Sequence, residues 1–564
     1  MIELPRYGNS LQIGDDPGGK PVVVSSDKRA THLYVCGSTG TGKSKFLEYL
    51  LRQDIQQWRT SKSGLLLIDP HGTLYDSLIE WMAFHQLKRP LVPIDLRSEK
   101  WVISYNMLRD RPGADPSVIV SSFVQAMAHV WGATGTNETP LFARWAGNIL
   151  RTLYEAKQTL IEAEYLIDHL ADQVRTLFAG KVRNQAVRRD WRYAEKLSPA
   201  EFENQVGSTV NRLRRFLATN MLRSMFGQRG ASFDFAQALD QGQIVLVNLA
   251  SRGARVSDED ASLFATLLIS DLWTVAKERG KGDASNPPKP FYVYIDEFQS
   301  FVTPTIAQQL DQARGFGLHL TLAHQFPNQL LNVGDQGKAI YDSVMVNARS
   351  KVVFQVEGKE NLLPLANSLF MGTMDPDERK LELYSTKILA HQKETRRSVT
   401  RSTSESLTRS DGSGTVLANT DEGEDRHSES SSSAEASGIG YAETEQEVDA
   451  AVFGEELSSV QFRSIEEQTF RAMEKIFTLP KRTCIVRCAG NLTPETVLIP
   501  EVESFGLRPE RIQRYTDSML RNLPFALRAE TANSNLSSRE DEIVSLVRAE
   551  EEQHAPRTAR RRIG

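Results

Sequence analysis

The sequence predicts an α/β protein built on a mainly parallel sheet, and three observations predict it. Short β-rich runs recur along the chain, most of them continuously apolar. Helical patterns separate them. A glycine-rich bend joins the first such run to an amphipathic helix. Strands covered by helices on both faces read as unbroken apolar runs, which is the mark of a parallel sheet.

The runs are HLYVCG (32–37), GLLLID (64–69), LVPIDL (91–96), QIVLVNLA (243–250), FYVYIDE (291–297), HLTLAHQ (319–325) and KVVFQV (351–356). After the bend, Leu47, Leu50, Leu51, Ile55 and Trp58 fall at helical spacing, so one face packs on the sheet. Residues 116–232 hold no convincing strand. Ile119, Phe123, Met127 and Val130, then Phe142, Trp145, Ile149 and Leu153, recur at helical spacing instead. This predicts an all-α inserted domain at 116–232, which splits the α/β core into 1–115 and 233–394. Residues 395–446 are rich in Ser, Thr, Gly and charge, with few large apolar side chains, and are expected to be a disordered insertion. Residues 447–505 predict a hairpin completing the sheet, and 506–564 a charged, helical tail ending in RTARRRIG.

Composition narrows the class. Of the 564 residues 40% are hydrophobic and 25% charged, which is ordinary for a folded chain, and the net charge is only −5. Nucleic-acid contact must therefore come from local basic surfaces. Three cysteines exclude a disulfide framework and suit a reducing compartment. Cys484 and Cys488 share one face of a strand pattern without further ligands for a metal, and read as buried. No secretory signal is visible, and the most apolar stretch, ASLFATLLISDLWTVA, is broken by Asp271 and reads as a buried helix. A cytoplasmic location is expected.

The bend fits G-x-x-x-x-G-K-S/T through Gly37, Ser38, Thr39, Gly40, Thr41, Gly42, Lys43 and Ser44. Its glycines let backbone N–H groups and a helix N-terminus turn toward a phosphate. Lys43 would reach the outer phosphates and the Ser44 hydroxyl would ligate Mg2+. FYVYIDEFQ places Asp296 at a strand end, where it would hold the metal's water shell, while Glu297 would orient or deprotonate the attacking water. This pairing reads as ATP hydrolysis. Gln325 ends the next strand, where its amide could sense the γ-phosphate or the water. Asp69, His71 and Gly72 end another strand, and His71 there reads first as structural.

With these pieces in place, the chain resembles the HerA/FtsK superfamily of ring-forming ATPases, and within it the coupling proteins of conjugation and type IV secretion (TraD/TrwB type). The matching stretches are THLYVCGSTGTGKS, LLLIDPHGTLYD, QGQIVLVNLASR, FYVYIDEFQSF, LDQARGFGLHLTLAHQ and VMVNARSKVVFQV. The resemblance implies a RecA-like motor using ATP and Mg2+, assembled as a hexamer around DNA, with each site between neighbours. It implies that Arg314 reaches the neighbour's γ-phosphate, with Arg349 as the alternative. Relaxase or secretion proteins would be partners, or a nuclease if the chain is of HerA type. Membrane-anchored members begin with transmembrane helices, whereas here 36 residues precede Gly37, so a soluble form is expected. Arg183, Arg188, Arg189, Arg192, Arg212, Arg214 and Arg215, with Trp191 and Tyr193 among them, suit either sequence-independent DNA contact or a solvated helix face.

Overall fold

The computed structural model describes residues 9–554 apart from 112–113, 132–138, 168–171, 251–255, 281–287, 304–306, 308–309, 333 and 413–429. The strands, in chain order, are β1 (Leu11–Asp15), β2 (Pro21–Val24), β3 (Leu33–Cys36), β4 (Gly64–Asp69), β5 (Leu91–Asp95), β6 (Trp101–Ile103), β7 (Ile244–Asn248), β8 (Phe291–Ile295), β9 (Leu318–His324), β10 (Ser350–Val353), β11 (Arg379–Gly412), β12 (Ser430–Phe462), β13 (Thr483–Arg487), β14 (Glu495–Leu498) and β15 (Ala526–Arg528).

Eleven of these form one sheet in the order β2-β1-β14-β13-β10-β3-β9-β8-β4-β7-β5. From β10 to β5 every pairing is parallel. These are the apolar runs read from the sequence. The hairpin β13–β14 joins the other side in antiparallel fashion, and β14 in turn carries the N-terminal hairpin β1–β2.

Alternation along the strands separates two cores. Leu33 and Val35 of β3 face one, with Phe46, Leu47, Leu50, Leu51 and Ile55 of the helix Lys43–Ser61. Tyr34 and Cys36 face the other, which runs without a break into the helical segment through Phe123, Met127, Trp145 and Leu153. Between β6 and β7 the described residues are helical wherever they are regular. The tail joins the same core. Its helix Ala529–His554 buries Arg539 against Glu162, and β15 pairs with β6. The basic end at 557–562 lies outside the described residues.

The apolar stretch around Asp271 is the helix Asp258–Arg279, buried along most of its length. Asp271 accepts from the Tyr105 hydroxyl at 3.0 Å and from Arg111 Nη1 at 2.7 Å. Removing one member of a buried pair strands the other charge. Arg111→Met should cost about 3–5 kcal/mol, read as a drop in the denaturant midpoint. Among the described residues no helix is long and apolar enough to cross a membrane. Cys36, Cys484 and Cys488 are buried and unpaired.

Asp375–Ile465 form a second compact unit. In it β11 and β12 pair as one long antiparallel ribbon, Arg379 opposite Phe462 and Gly412 opposite Ser430. The expectation for 395–446 rested on side chains with nothing to bury. Where described, those side chains are exposed, and ladder hydrogen bonds with cross-strand ion pairs, not a core, order the backbone.

Candidate functional site

The glycine-rich bend lies at the C-terminal end of β3, the middle strand of the eleven-stranded sheet. Gly40 and Gly42 have φ of 83° and 118°, values that side chains other than glycine rarely adopt. A Cβ on Gly37 would stand 2.6 Å from Phe354 Cβ, so that glycine is required by close packing instead. Neighbouring strands brace the bend. Gly37 N–H donates to His324 O, Ser38 N–H to Gln355 O, and Arg482 N–H, just ahead of β13, to Thr41 O. The helix Lys43–Ser61 starts without a side-chain cap, and Phe46 N–H makes its first bond, to Gly42 O. The first-turn N–H groups of Lys43, Ser44 and Lys45 have no carbonyl within the helix to meet. An uncapped helix N-terminus beside a buried lysine is a ready anion site, and these residues fit a nucleotide phosphate.

Lys43 Nζ lies 2.5 Å from Asp296 Oδ1 and 3.0 Å from Glu297 Oε1. Strand alternation alone would send the two carboxylates apart. The structure brings both to Lys43, because Glu297 takes φ of 49° immediately after β8. That strained backbone is the kind of cost a functional position carries. Burial pulls the Lys43 ammonium down, but the two carboxylates overcome it and its pKa is raised. Burial likewise pushes Glu297 up; Lys43 and the amides of Gln299 and Gln325 overcome that, leaving its pKa lowered.

Amides surround Glu297. Gln325 Nε2 donates to Oε1 at 3.1 Å, and Gln299 Nε2 and Gln329 Nε2 to Oε2 at 2.9 and 3.4 Å. Gln325 Oε1 also accepts from the Thr39 hydroxyl at 3.3 Å, tying the bend to β9. Gln299 and Gln329 were missed in the sequence. The signal was an unusual density of glutamine beside two strand ends, in DEFQ and HQFPNQ. Ser44 is exposed at the helix start, and together with Asp296 it offers the oxygen ligands a divalent cation needs. Asp69, at the end of β4, instead accepts from the His71 and Tyr75 N–H groups. His71 itself is exposed.

Behind the site the Tyr34 hydroxyl pairs with His324 Nε2 at 2.6 Å. Burial, with Lys43 nearby, lowers the His324 pKa to about 3, and burial beside Arg29 lowers His319 to about 3. Unfolded imidazole titrates near 6.5, so below that pH the unfolded chain binds more protons than the folded one. Stability should therefore fall as pH drops from about 6.5 toward 3, by up to about 1.4 kcal/mol per pH unit for each ring. Melting curves between pH 7.5 and 5 check this, and His324→Gln should flatten the slope.

Arg314 and Arg349 sit elsewhere. Both are exposed, and they precede β9 and β10. They thus lie at the N-terminal edge of the sheet, while Lys43, Asp296 and Glu297 lie at the C-terminal edge. The seven residues of β9 put about 20 Å between these edges. One chain cannot bring them together. In the helical segment Trp191 is buried against Trp145 and donates to the Thr152 hydroxyl, so it offers no stacking surface. Arg183, Arg188, Arg189, Arg192 and Arg214 are exposed, as is Tyr193, whereas Arg215 pairs with Glu259.

A phosphate-type bend on a central parallel strand, facing an Asp–Glu pair beside the next strand but one, defines a RecA-like P-loop α/β core. Within that class the chain belongs to the family described as the type IV secretion-system coupling protein DNA-binding domain, which matches residues 18–408. A solved structure of plasmid coupling protein TrwB with the ATP analogue ADPNP superposes at a TM-score of 0.50 and 14% identity, over 90% of this chain and 98% of that one. At that identity the likeness is one of fold. DNA translocase FtsK of Pseudomonas syringae pv. syringae is 23% identical over 257 residues, 43% of this chain and 30% of that protein. FtsK of Rickettsia typhi is 28% identical over 109 residues, 18% of this chain and 14% of that protein. The chain thus spans under a third of these curated relatives.

Proposed function

We propose that this chain is an ATP-hydrolysing motor that moves DNA through a ring of its own copies, in the manner of coupling proteins. The observation that carries the reading is the convergence of Asp296 and Glu297 on Lys43 beside an uncapped helix start. Bound there, ATP with Mg2+ supplies a cleavable phosphoanhydride and the charge that polarises it.

The residues then divide the work. Lys43 turns from the carboxylates to phosphate oxygens. Ser44 and the freed Asp296 would hold the cation. Glu297, already ionised, takes a proton from water as general base, while Gln299, Gln325 and Gln329 keep it in one orientation. The edge-to-edge separation of Arg314 from Lys43 supports a site completed by a neighbour, and a hexamer is the assembly the coupling-protein resemblance favours. The exposed arginines of 183–214 are the favoured contact to DNA phosphates, so binding should be sequence-independent and weaken steeply with salt.

Glu297→Gln tests the chemistry. It keeps the side chain's shape and an acceptor on one side but cannot accept the proton, so turnover should fall by about 10²–10⁴ with ATP still bound. Normal turnover in this variant would assign the base elsewhere.

A further inference from the structure

The ribbon β11–β12 has two free edges of opposite charge. Its sheet holds just these two strands among the described residues. Each strand therefore turns one row of N–H and C=O groups away from its partner, a standing template for another strand. An isolated two-stranded ribbon is marginal in water at best. Large apolar side chains lie exposed near its base, with Phe453 at 64% and Tyr384 at 54%, beside Ile388 and Leu457. Such a ribbon needs neighbours.

Charge indicates which. Strand β11 carries eight basic and four acidic residues, whereas β12 carries seven acidic and no basic ones. Between Ala390 and Thr403 most of the charges, all but Glu394 and Arg396, share one face with their partners, because directly opposed residues share a face. Lys393 opposes Asp449, Thr395 opposes Glu447, and Arg397 opposes Glu445. On that face Glu443, Glu445, Glu447 and Asp449 form an unbroken acidic row. Within the ribbon Lys393 meets Glu447 at 3.1 Å, and Arg397 pairs with Glu445. Pairing β11 with another β11 would oppose like charges, and so would β12 with β12. Pairing the β12 edge of one copy with the β11 edge of the next gives every acidic row a basic row on both sides.

We propose that the ribbon is a ring-closing element, in which the outer edge of β12 in one copy pairs with the outer edge of β11 in the next. The added pairing is antiparallel, since β11 and β12 run in opposite directions. The contact is head-to-tail, so it does not stop at a two-fold dimer, and where the rotation between copies closes it makes a ring. Closure is the one arrangement that removes every edge, and in the resulting barrel the exposed apolar side chains of the base gain lateral neighbours. This deepens the ring reading above and concerns assembly alone.

The test is cross-linking of full-length variants. Thr395→Cys and Glu447→Cys proteins are made separately and co-expressed. Glu443→Cys, Glu445→Cys and Asp449→Cys replace Glu447→Cys in turn to cover register. The native cysteines are buried and do not compete. A disulfide dimer should form on oxidation with at least one β12 position, only on co-expression, and in neither variant alone. Dimers of Thr395→Cys with itself, or no dimer at any of the four positions, would overturn the proposal.

In a second variant, residues 379–462 are replaced by a short Gly-Ser linker, which needs little reach because Arg379 and Phe462 oppose each other. Sedimentation should show the concentration for assembly rising at least tenfold. Unchanged assembly with loss of duplex DNA binding would make the basic strand a nucleic-acid surface and overturn the proposal. Unchanged assembly with Lys43-dependent ATP hydrolysis intact would overturn it while leaving the motor reading in place. The mixed disulfide in a protein that hydrolyses no ATP would do the reverse.

Discussion

Arg314→Ala is expected to lower ATP turnover by about 10³–10⁵ while nucleotide affinity changes little. An arginine that arrives from a neighbour stabilises charge on the phosphoryl group in transit more than it stabilises bound ATP. Its exposed place before β9, a strand's length from Lys43, makes any contribution within its own chain geometrically unavailable. Complementation gives the sharpest form of the result. Arg314→Ala keeps an intact phosphate bend, and Lys43→Ala keeps an intact arginine. Mixed one to one, about a quarter of head-to-tail interfaces contain both, so two inactive proteins together regain activity. If the mixture stays inactive while each variant still assembles, Arg314 does not act across the interface, and Arg349 becomes the residue to exchange.

Lys43→Ala is expected to damage both steps at the site, with turnover down by about 10²–10³ and weaker ATP binding besides. The cause is twofold. The cation facing the outer phosphates is lost, and Asp296 and Glu297 lose their common partner. Without the Lys43 ammonium, burial is opposed only by the amides of Gln299 and Gln325, and the Glu297 pKa moves up from where it stands in the unaltered protein. The folded form then holds a proton on Glu297 to higher pH, so any residual activity should rise with pH over a range where the unaltered protein is flat. A pH–rate profile of the variant reads this directly. A flat profile at full rate would exclude Lys43 from the site.

The parallel strands were legible because each is buried on both faces, and burial leaves an apolar run that needs no partner to be recognised. The phosphate bend was legible because its glycines answer to backbone demands, positive φ at Gly40 and Gly42 and close packing at Gly37. What stayed hidden depends on long-range pairing. The strands β1 and β2 are short, and their place is fixed by β14, with Asp15 opposite Leu498. Alternation along β8 gives the wrong direction for Glu297, because the backbone turns left-handed there. Trp191 looked like a stacking surface beside its arginines, but the helix Gln185–Ala194 turns Val187 and Trp191 inward and leaves the arginines out. The ribbon was hidden for a different reason. Its side chains carry no core signal, and only backbone pairing across Thr395 and Glu447 marks it.

The position of the late hairpin bears on how the protein is made. β13 and β14 stand between the parallel strands and β1, so the edge holding β1 and β2 has no strand to join it to the sheet until about residue 498 has left the ribosome. Arg482, which braces Thr41, is equally late. A growing chain therefore carries its phosphate bend for most of synthesis without the brace that shapes it, and competence for nucleotide should switch on only near completion.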